Sequence, residues 1–331
     1  MNGLKALGII AAAVALLVLV WGFDDYPARD HIGKAEYWSR DFPFSRYPQA
    51  VVLQTGLDDP RGIASDRAGD VFIAEANGRV FEFSAAEKYS EAPPSQDMPA
   101  YIDQRGIAFN EDLILTAVHD AGKITKRHGP VGAPPEQPLL DGALTGPSGL
   151  AVSGQTLFIT DDRPWPGAGP DPAFDSADYT RWLDKDAQRM FGSVWACSPV
   201  IPCVPAPLNV RLLHPTGIAA ASDGLLYVVE SGSHEVRWAI LKQDNGAWSE
   251  IGALGSVQTP GDPLPSFLGI ALDRNQRYVF AAGPKSLYVF SRQDRNLLGR
   301  IVFEGPVSGV AYCAGQIYLI VGRQLCRIEM N

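Results

Sequence analysis

One short pattern recurs six times along this 331-residue chain and restricts its fold more than any other feature. It reads as a variable residue, glycine, an apolar residue and alanine: RGIA from Arg61, RGIA from Arg105, SGLA from Ser148, TGIA from Thr216, LGIA from Leu268 and SGVA from Ser308. The glycines (Gly62, Gly106, Gly149, Gly217, Gly269 and Gly309) are separated by 44, 43, 68, 52 and 40 positions. Each leads through a turn into a β-branched or aromatic run: DVFIAE, DLILTAVH, TLFITD, LLYVVE, RYVFAA and QIYLIV. The last residue of that run falls 12 or 13 positions after the glycine every time. A third run usually follows, such as RVFEF, EVRWA or SLYVF, and some units show a fourth, as in AWSEIG and LLGRIVF.

Four antiparallel strands repeating at roughly 40–50 residues describe a propeller blade. A single blade cannot bury both of its faces, whereas blades stacked about an axis bury one another. The expected fold is therefore all-β: a six-bladed propeller of four-stranded antiparallel blades over residues 48–331. The sixth unit has only three strands before the chain ends, so Gln49–Gln54 is expected to supply the fourth and close the ring. The repeat glycines belong where innermost strands crowd together near the axis, since a missing side chain permits close backbone approach.

The 68-residue spacing marks an insertion at about 163–190, between the second and third strands of the third unit. It opens RPWPGAGPDPAF and continues DSADYTRWLDKDAQRMFG, a candidate short helix capped by Asp175 or Ser176. Loops of this length in compact domains are usually functional or mobile, and this one is expected to lie over the axial opening as a lid.

The N-terminus carries a different signal. Leu4–Phe23 has Lys5 as its only charge and is long enough, at ~1.5 Å per residue, to cross the hydrocarbon layer as a transmembrane helix. It ends in Trp21-Gly22-Phe23-Asp24, a poor cleavage site with interfacial aromatics. Residues 1–23 are read as a retained membrane anchor, with a cleaved signal peptide as the alternative. Residues 24–47 would form a juxtamembrane stalk, and the propeller would lie on the exported side, periplasmic or extracellular. There Cys197 and Cys203, in CSPVIPC, are expected to form a disulfide. Cys313 and Cys326 fall on strands two apart, too distant to pair, and read as buried hydrophobes. With 28 basic and 37 acidic residues the net charge is 28 − 37 = −9, which argues against a nucleic-acid partner.

HPTGIAAASDGLLYVVESGSHEVRWAILK (His214–Lys242) and PRGIASDRAGDVFIAEANGRVFEF (Pro60–Phe83) resemble the gluconolactonase and senescence-marker-type six-bladed propellers, the strictosidine synthase-like family and shorter NHL-type repeats. The resemblance implies the fold over about residues 48–331. It also implies a site: the lactonase members hold a divalent metal at the axis through Glu, Asn and Asp residues placed just before the repeat glycines. The matching positions here are Arg61 for the Glu, Ser148 and Thr216 for the Asn residues and Leu268 for the Asp. Arginine and leucine are not ligands for a hard cation, so no metal and no cofactor are expected. The Glu on which strictosidine synthase relies is matched by Ser308.

Two sets of residues are candidates for function. The positions before the glycines suggest a ligand-binding mouth of Arg61, Arg105, Ser148, Thr216 and Ser308, beside Leu268. Two arginines on adjacent blades suit an anion, unless each pairs with a nearby acid such as Asp58, Asp59 or Asp103. The ends of the second strands give Glu75, His119, Asp161 and Glu230 as acid–base candidates, or as acceptors for the amides of adjoining turns. His214 and His234 flank the fourth unit. No Walker loop, dinucleotide fingerprint, nucleophile elbow or H-E-x-x-H motif is present. Three readings follow. The first is a membrane-anchored propeller that binds a small anionic ligand or a protein partner. The second is a divergent lactonase- or esterase-type hydrolase. The third is a structural envelope scaffold.

Overall fold

The computed structural model describes residues 33–45, 48, 50–86, 104–110, 113–128, 138–162, 191–199, 203–231, 235–258 and 267–330. The anchor expected at 1–23, the insertion at 163–190 and His234 lie outside them. The described residues form twenty-four strands in six antiparallel sheets. The two earliest strands, β1 (Gly33–Tyr37) and β2 (Ala50–Thr55), join the last two blades.

Blade one holds β3 (Pro60–Ser65), β4 (Val71–Glu75) and β5 (Val80–Phe83). Blade two holds β6 (Gln104–Asn110), β7 (Leu113–Val118), β8 (Lys123–His128) and β9 (Leu140–Asp141). Blade three holds β10 (Pro147–Ser153), β11 (Thr156–Asp161), β12 (Phe191–Cys197) and β13 (Ala206–Leu213). Blade four holds β14 (Pro215–Ala220), β15 (Leu226–Ser231), β16 (Glu235–Asp244) and β17 (Ala247–Gln258). Blade five holds β18 (Ile270–Leu272), β19 (Tyr278–Gly283), β20 (Ser286–Ser291) and β21 (Leu297–Phe303). Blade six holds β22 (Val307–Cys313), β23 (Gln316–Val321) and β24 (Gln324–Glu329).

Ring closure follows the strand count. β2 pairs with β24, with Ala50 opposite Ile328 and Val52 opposite Cys326, so the second strand and the last share one sheet. Part of the segment read as a stalk is instead built onto the propeller: β1 adds a fifth strand to blade five, with Gly33 opposite Phe303 and Tyr37 opposite Gly299. Glu36 accepts from Arg300 (2.8 and 2.9 Å), and Phe42 and Phe44 are buried, Phe44 edge-on to Phe280. Five residues are too few for alternation to stand out from a polar and aromatic stretch, and the partner edge lies more than 250 positions away in sequence.

The core lies between blades. Trp238, Tyr227, Phe280 and Phe290 are essentially fully buried, with the Trp238 ring 4.9 Å from Tyr288 and 5.1 Å from Phe290. Burying such a side chain stabilises the fold by roughly 1.5–3 kcal/mol. Near the axis the limit is steric. A Cβ built on Gly149 lies 2.9 Å from Thr160 Oγ1, 3.1 Å from Gly217 Cα, and still closer to the Thr216 carbonyl oxygen. Gly62 and Gly106 meet the carbonyls of Arg105 and Ser148 in the same way. Each repeat glycine thus seats one innermost strand on the next. Cys197 and Cys203 are disulfide-bonded; Cys313 and Cys326 are free and buried, and burial pushes the Cys326 thiol up to about 12.

Candidate active site at the rim of blades two to four

The innermost strands carry a β-bulge at or just before the repeat glycine, as at Pro60/Gly62, Gln104/Ile107, Pro147/Leu150 and Pro215/Ile218. A bulge slips the register and re-aims the side chains beside it. The axial cavity, about 40 Å³, is consequently lined by glycines and the residues that follow them, including Ile63, Ile107, Leu150, Ile218, Ile270 and Val310. The residues immediately before the glycines are not among its lining, which includes Phe267 as well. Ser148 and Thr216 are fully buried, and Thr216 Oγ1 donates to the Leu268 carbonyl (3.2 Å). Ser308 is partly buried, and its carbonyl accepts from Gly269 N (2.7 Å). Arg61 donates to Asp59 (2.7 and 3.2 Å), and Arg105 ion-pairs with Asp162.

These positions do not fit the metal of the family they resemble. Arg61 is committed to Asp59, and Leu268 has no side-chain donor atom. Among the described residues no group of three or more His, Cys, Asp or Glu is arranged to hold a metal ion. A hard divalent cation wants several oxygen ligands, some of them anionic.

Of the second-strand acids, three share one place and one job. Glu75, Asp161 and Glu230 lie opposite Pro60, Pro147 and Pro215, the first residues of their innermost strands. Each accepts from the backbone two residues before that proline: Asp58 N to Glu75 (2.5 Å), Thr145 N to Asp161 (3.0 Å) and Leu213 N to Glu230 (2.9 Å). Burial pushes the Glu75 and Glu230 carboxyls above the ordinary carboxylate range, against the pull of those amides and of Arg79 and Arg237. These acids brace the loops that lead into the blades.

His119 differs. Gln104 lies opposite Val118, so His119 is one residue past the strand end, at the position occupied by Asp162 in blade three and Ser231 in blade four. The same join recurs at this place: Asp162 N donates to the Gly146 carbonyl (3.0 Å) and Ser231 N to the His214 carbonyl (3.3 Å). The rim therefore gathers residues from three consecutive blades around Asp162, whose side chain is 1% exposed. His119 Nε2 lies 2.6 Å from Asp162 Oδ1, and its Nδ1 lies 3.1 Å from Asp120. Arg105 pairs with Oδ2, and His214 Nε2 stands 3.5 Å from the same oxygen. His214 Nδ1 is 3.0 Å from Ser231 Oγ.

Burial opposes ionisation of Asp162, but the His119 hydrogen bond and the charges of His119, Arg105 and His214 outweigh it and hold the carboxyl below its usual range. His214 moves down as well: burial disfavours its charged form, Arg105 and His119 add to that, and the attraction of Asp162 does not compensate. Both shifts favour an ionised carboxylate beside a neutral imidazole. His214 is the most open member, with a side chain 28% exposed against 10% for Arg105 and 5% for His119. It also adopts φ +43°, a left-handed conformation uncommon for a non-glycine residue and concentrated at functional sites.

Of these residues sequence reasoning named His119, Arg105 and His214; it named Asp161 beside Asp162 and did not single out Asp162 or Ser231. Aligning units three and four by their bracing acids would have put Asp162 and Ser231 in one column; unit two carries Val118 at the acid's place, so His119 joins that column only through strand register.

The NHL repeat model matches residues 212–238, the stretch that carries both His214 and Ser231. No curated protein matches the chain by sequence. Solved structures match its shape. A gluconolactonase from Xanthomonas campestris, important in glucose secondary metabolic pathways, is 18% identical with a TM-score of 0.66, over 92% of this chain and 97% of that one. The PQQ-bound aldose sugar dehydrogenase from Streptomyces coelicolor is 16% identical with a TM-score of 0.60, over 87% and 100%. A chain of a nidogen/laminin complex is 12% identical with a TM-score of 0.53, over 76% and 85%. At these identities the likeness establishes the β-propeller fold alone, and a fold does not fix a function.

Proposed function

We propose that this protein is a hydrolase of small lactones or activated esters, working at the Asp162 cluster with His214 as general base and without the divalent ion of the lactonases it resembles. The observation that carries the reading is the placement of the partly exposed His214 ring, Nε2 3.5 Å from a carboxylate oxygen of the buried Asp162, where burial and the neighbouring charges favour an ionised acid and a neutral imidazole. A neutral imidazole accepts the proton of an attacking hydroxyl, and a fixed carboxylate stabilises the imidazolium as it forms. Arg105 and His119 are positioning residues: they hold both Asp162 oxygens and keep the carboxylate from turning away. The anion-binding reading loses support, because Arg61 and Arg105 already hold carboxylates.

The proposal keeps the propeller on the exported side of a membrane, anchored through residues 1–23. The Cys197–Cys203 disulfide supports that side, since such bonds persist in oxidising compartments. The test is turnover of a panel of γ- and δ-lactones and aryl acetates by the full chain in detergent, with excess chelator present. Turnover is expected, with His214→Gln lowering kcat by about 10²-fold or more. No turnover on any substrate, or activity abolished by chelation and restored by Ca²⁺, would overturn the proposal.

A further inference from the structure

We infer that Ser231 is the covalent nucleophile of this site, forming with His214 and Asp162 a serine–histidine–aspartate relay shared between blades three and four. The inference rests on the hydrolase reading and adds the identity of the attacking oxygen. Ser231 closes β15, and its Oγ lies 3.0 Å from His214 Nδ1, while the opposite ring nitrogen faces Asp162 at 3.5 Å. In the tautomer that carries its proton on Nε2, the nitrogen nearer Asp162, Nδ1 presents its lone pair to Ser231 Oγ. The two ring nitrogens exchange the roles they take in the familiar serine-protease arrangement, but the order acid, imidazole, hydroxyl is the same, and such relays are recognised by geometry and not by sequence position.

The backbone holds this register. The His214 carbonyl accepts from both Ser231 N (3.3 Å) and Ser231 Oγ (3.2 Å), so the hydroxyl has two acceptors for its one proton, this carbonyl and Nδ1. The left-handed φ of His214 sets its ring against β15. The motif is not the G-x-S-x-G elbow, since Ser231 sits in Val-Glu-Ser-Gly-Ser.

In the step so assigned, Ser231 Oγ bonds to the lactone carbonyl carbon while its proton passes to His214 Nδ1. The tetrahedral intermediate then expels the ring oxygen, which takes that proton and leaves as a hydroxyl tethered to the acyl group. Water, deprotonated by His214, attacks the acyl-serine; the Oγ–carbon bond breaks and Oγ regains a proton. Lactone and water give hydroxy acid, with no other reactant.

The experiment treats the full chain in detergent with an aryl phosphorofluoridate, followed by intact mass and peptide mapping, beside aryl-ester kinetics of wild type, Ser231→Ala, Ser231→Cys and His214→Gln. One label per chain at Ser231, parallel loss of turnover, no label on Ser231→Ala or His214→Gln, and a fall of kcat by at least about 10³-fold in Ser231→Ala are expected. Ser231→Cys keeps the size of the side chain and is expected to melt with the wild type and react with iodoacetamide at residue 231. Turnover by Ser231→Ala within about threefold of wild type would overturn the covalent inference and leave the hydrolase reading standing. Labelling of Ser231 in a chain that hydrolyses no substrate would sink the hydrolase reading and leave the nucleophile in place.

Discussion

Replacing Gly149 by alanine tests the physical basis of the ring. The added Cβ would stand 2.9 Å from Thr160 Oγ1 and nearer still to the Thr216 carbonyl oxygen, both inside the 3.0 Å that real Cβ atoms keep, with Gly217 Cα at 3.1 Å. Neither side yields easily. The Thr216 carbonyl accepts from Thr160 Oγ1 (2.5 Å), and Thr160 Oγ1 accepts from Gly149 N (2.6 Å), so one hydroxyl couples blades three and four. Relief requires the two innermost strands to part, and the cost belongs at the upper end of overpacking, about 3 kcal/mol. Alanine restricts the unfolded chain and returns ~0.4–1 kcal/mol. The net loss is about 2 kcal/mol or more, which at ~2.1 cal/mol/K per residue lowers Tm by roughly 3 °C or more for a propeller of this size. Gly255→Ala is the matched control: its nearest neighbour, Phe290 Cε1, lies at 3.6 Å, an ordinary contact, and its φ is not left-handed. Thermal melts followed by circular dichroism, with urea titrations for ΔΔG, compare the two variants. If Gly149→Ala melted with Gly255→Ala, the crowding argument for all six repeat glycines would be wrong.

Three further outcomes are expected. Asp162→Asn leaves Arg105 and His119 beside a neutral amide and should cost about 3–5 kcal/mol in urea titrations at neutral pH; because the folded carboxyl titrates below its ordinary value, this difference is full above the usual carboxylate range and disappears as pH falls through the folded pKa. Glu75 has the opposite sign: its folded pKa is raised by burial, so the folded chain binds more protons and stability declines as pH rises from about 4.5 through the folded value, a slope that Glu75→Gln should flatten in melts across that window. Reducing the Cys197–Cys203 bond, which spans a separation of only 6 residues, should cost about 2 kcal/mol, read as a lower Tm in dithiothreitol that a Cys197→Ser/Cys203→Ser double variant reproduces.

A histidine general base also fixes the shape of the pH–rate profile. The active form is neutral His214, so kcat/KM should rise with pH along an acid limb lying below the ordinary histidine value of about 6.5 and level off above it. An acid limb above that value would mean that the imidazole is stabilised in its charged form, and His214 would not be the base.

The amino-acid order by itself determined the architecture, because each repeat is a local statement: a glycine, a turn and a β-branched run whose spacing the chain cannot satisfy in another fold. It pointed to the closure as well, since the sixth unit showed three strands and Gln49–Gln54 offered a fourth, and β2 pairs with β24. What it could not determine was which neighbour of a doublet or a bulge turns toward the rim. Asp161 and Asp162 are adjacent and chemically alike, yet one braces the Thr145–Gly146 loop while the other anchors the cluster. Strand register made that division, and register depends on bulges and hydrogen bonds formed only when β10 and β11 pair. The association of Arg105, His119, Asp162, His214 and Ser231 likewise exists only once three blades stand side by side, because their sequence positions span more than 120 residues.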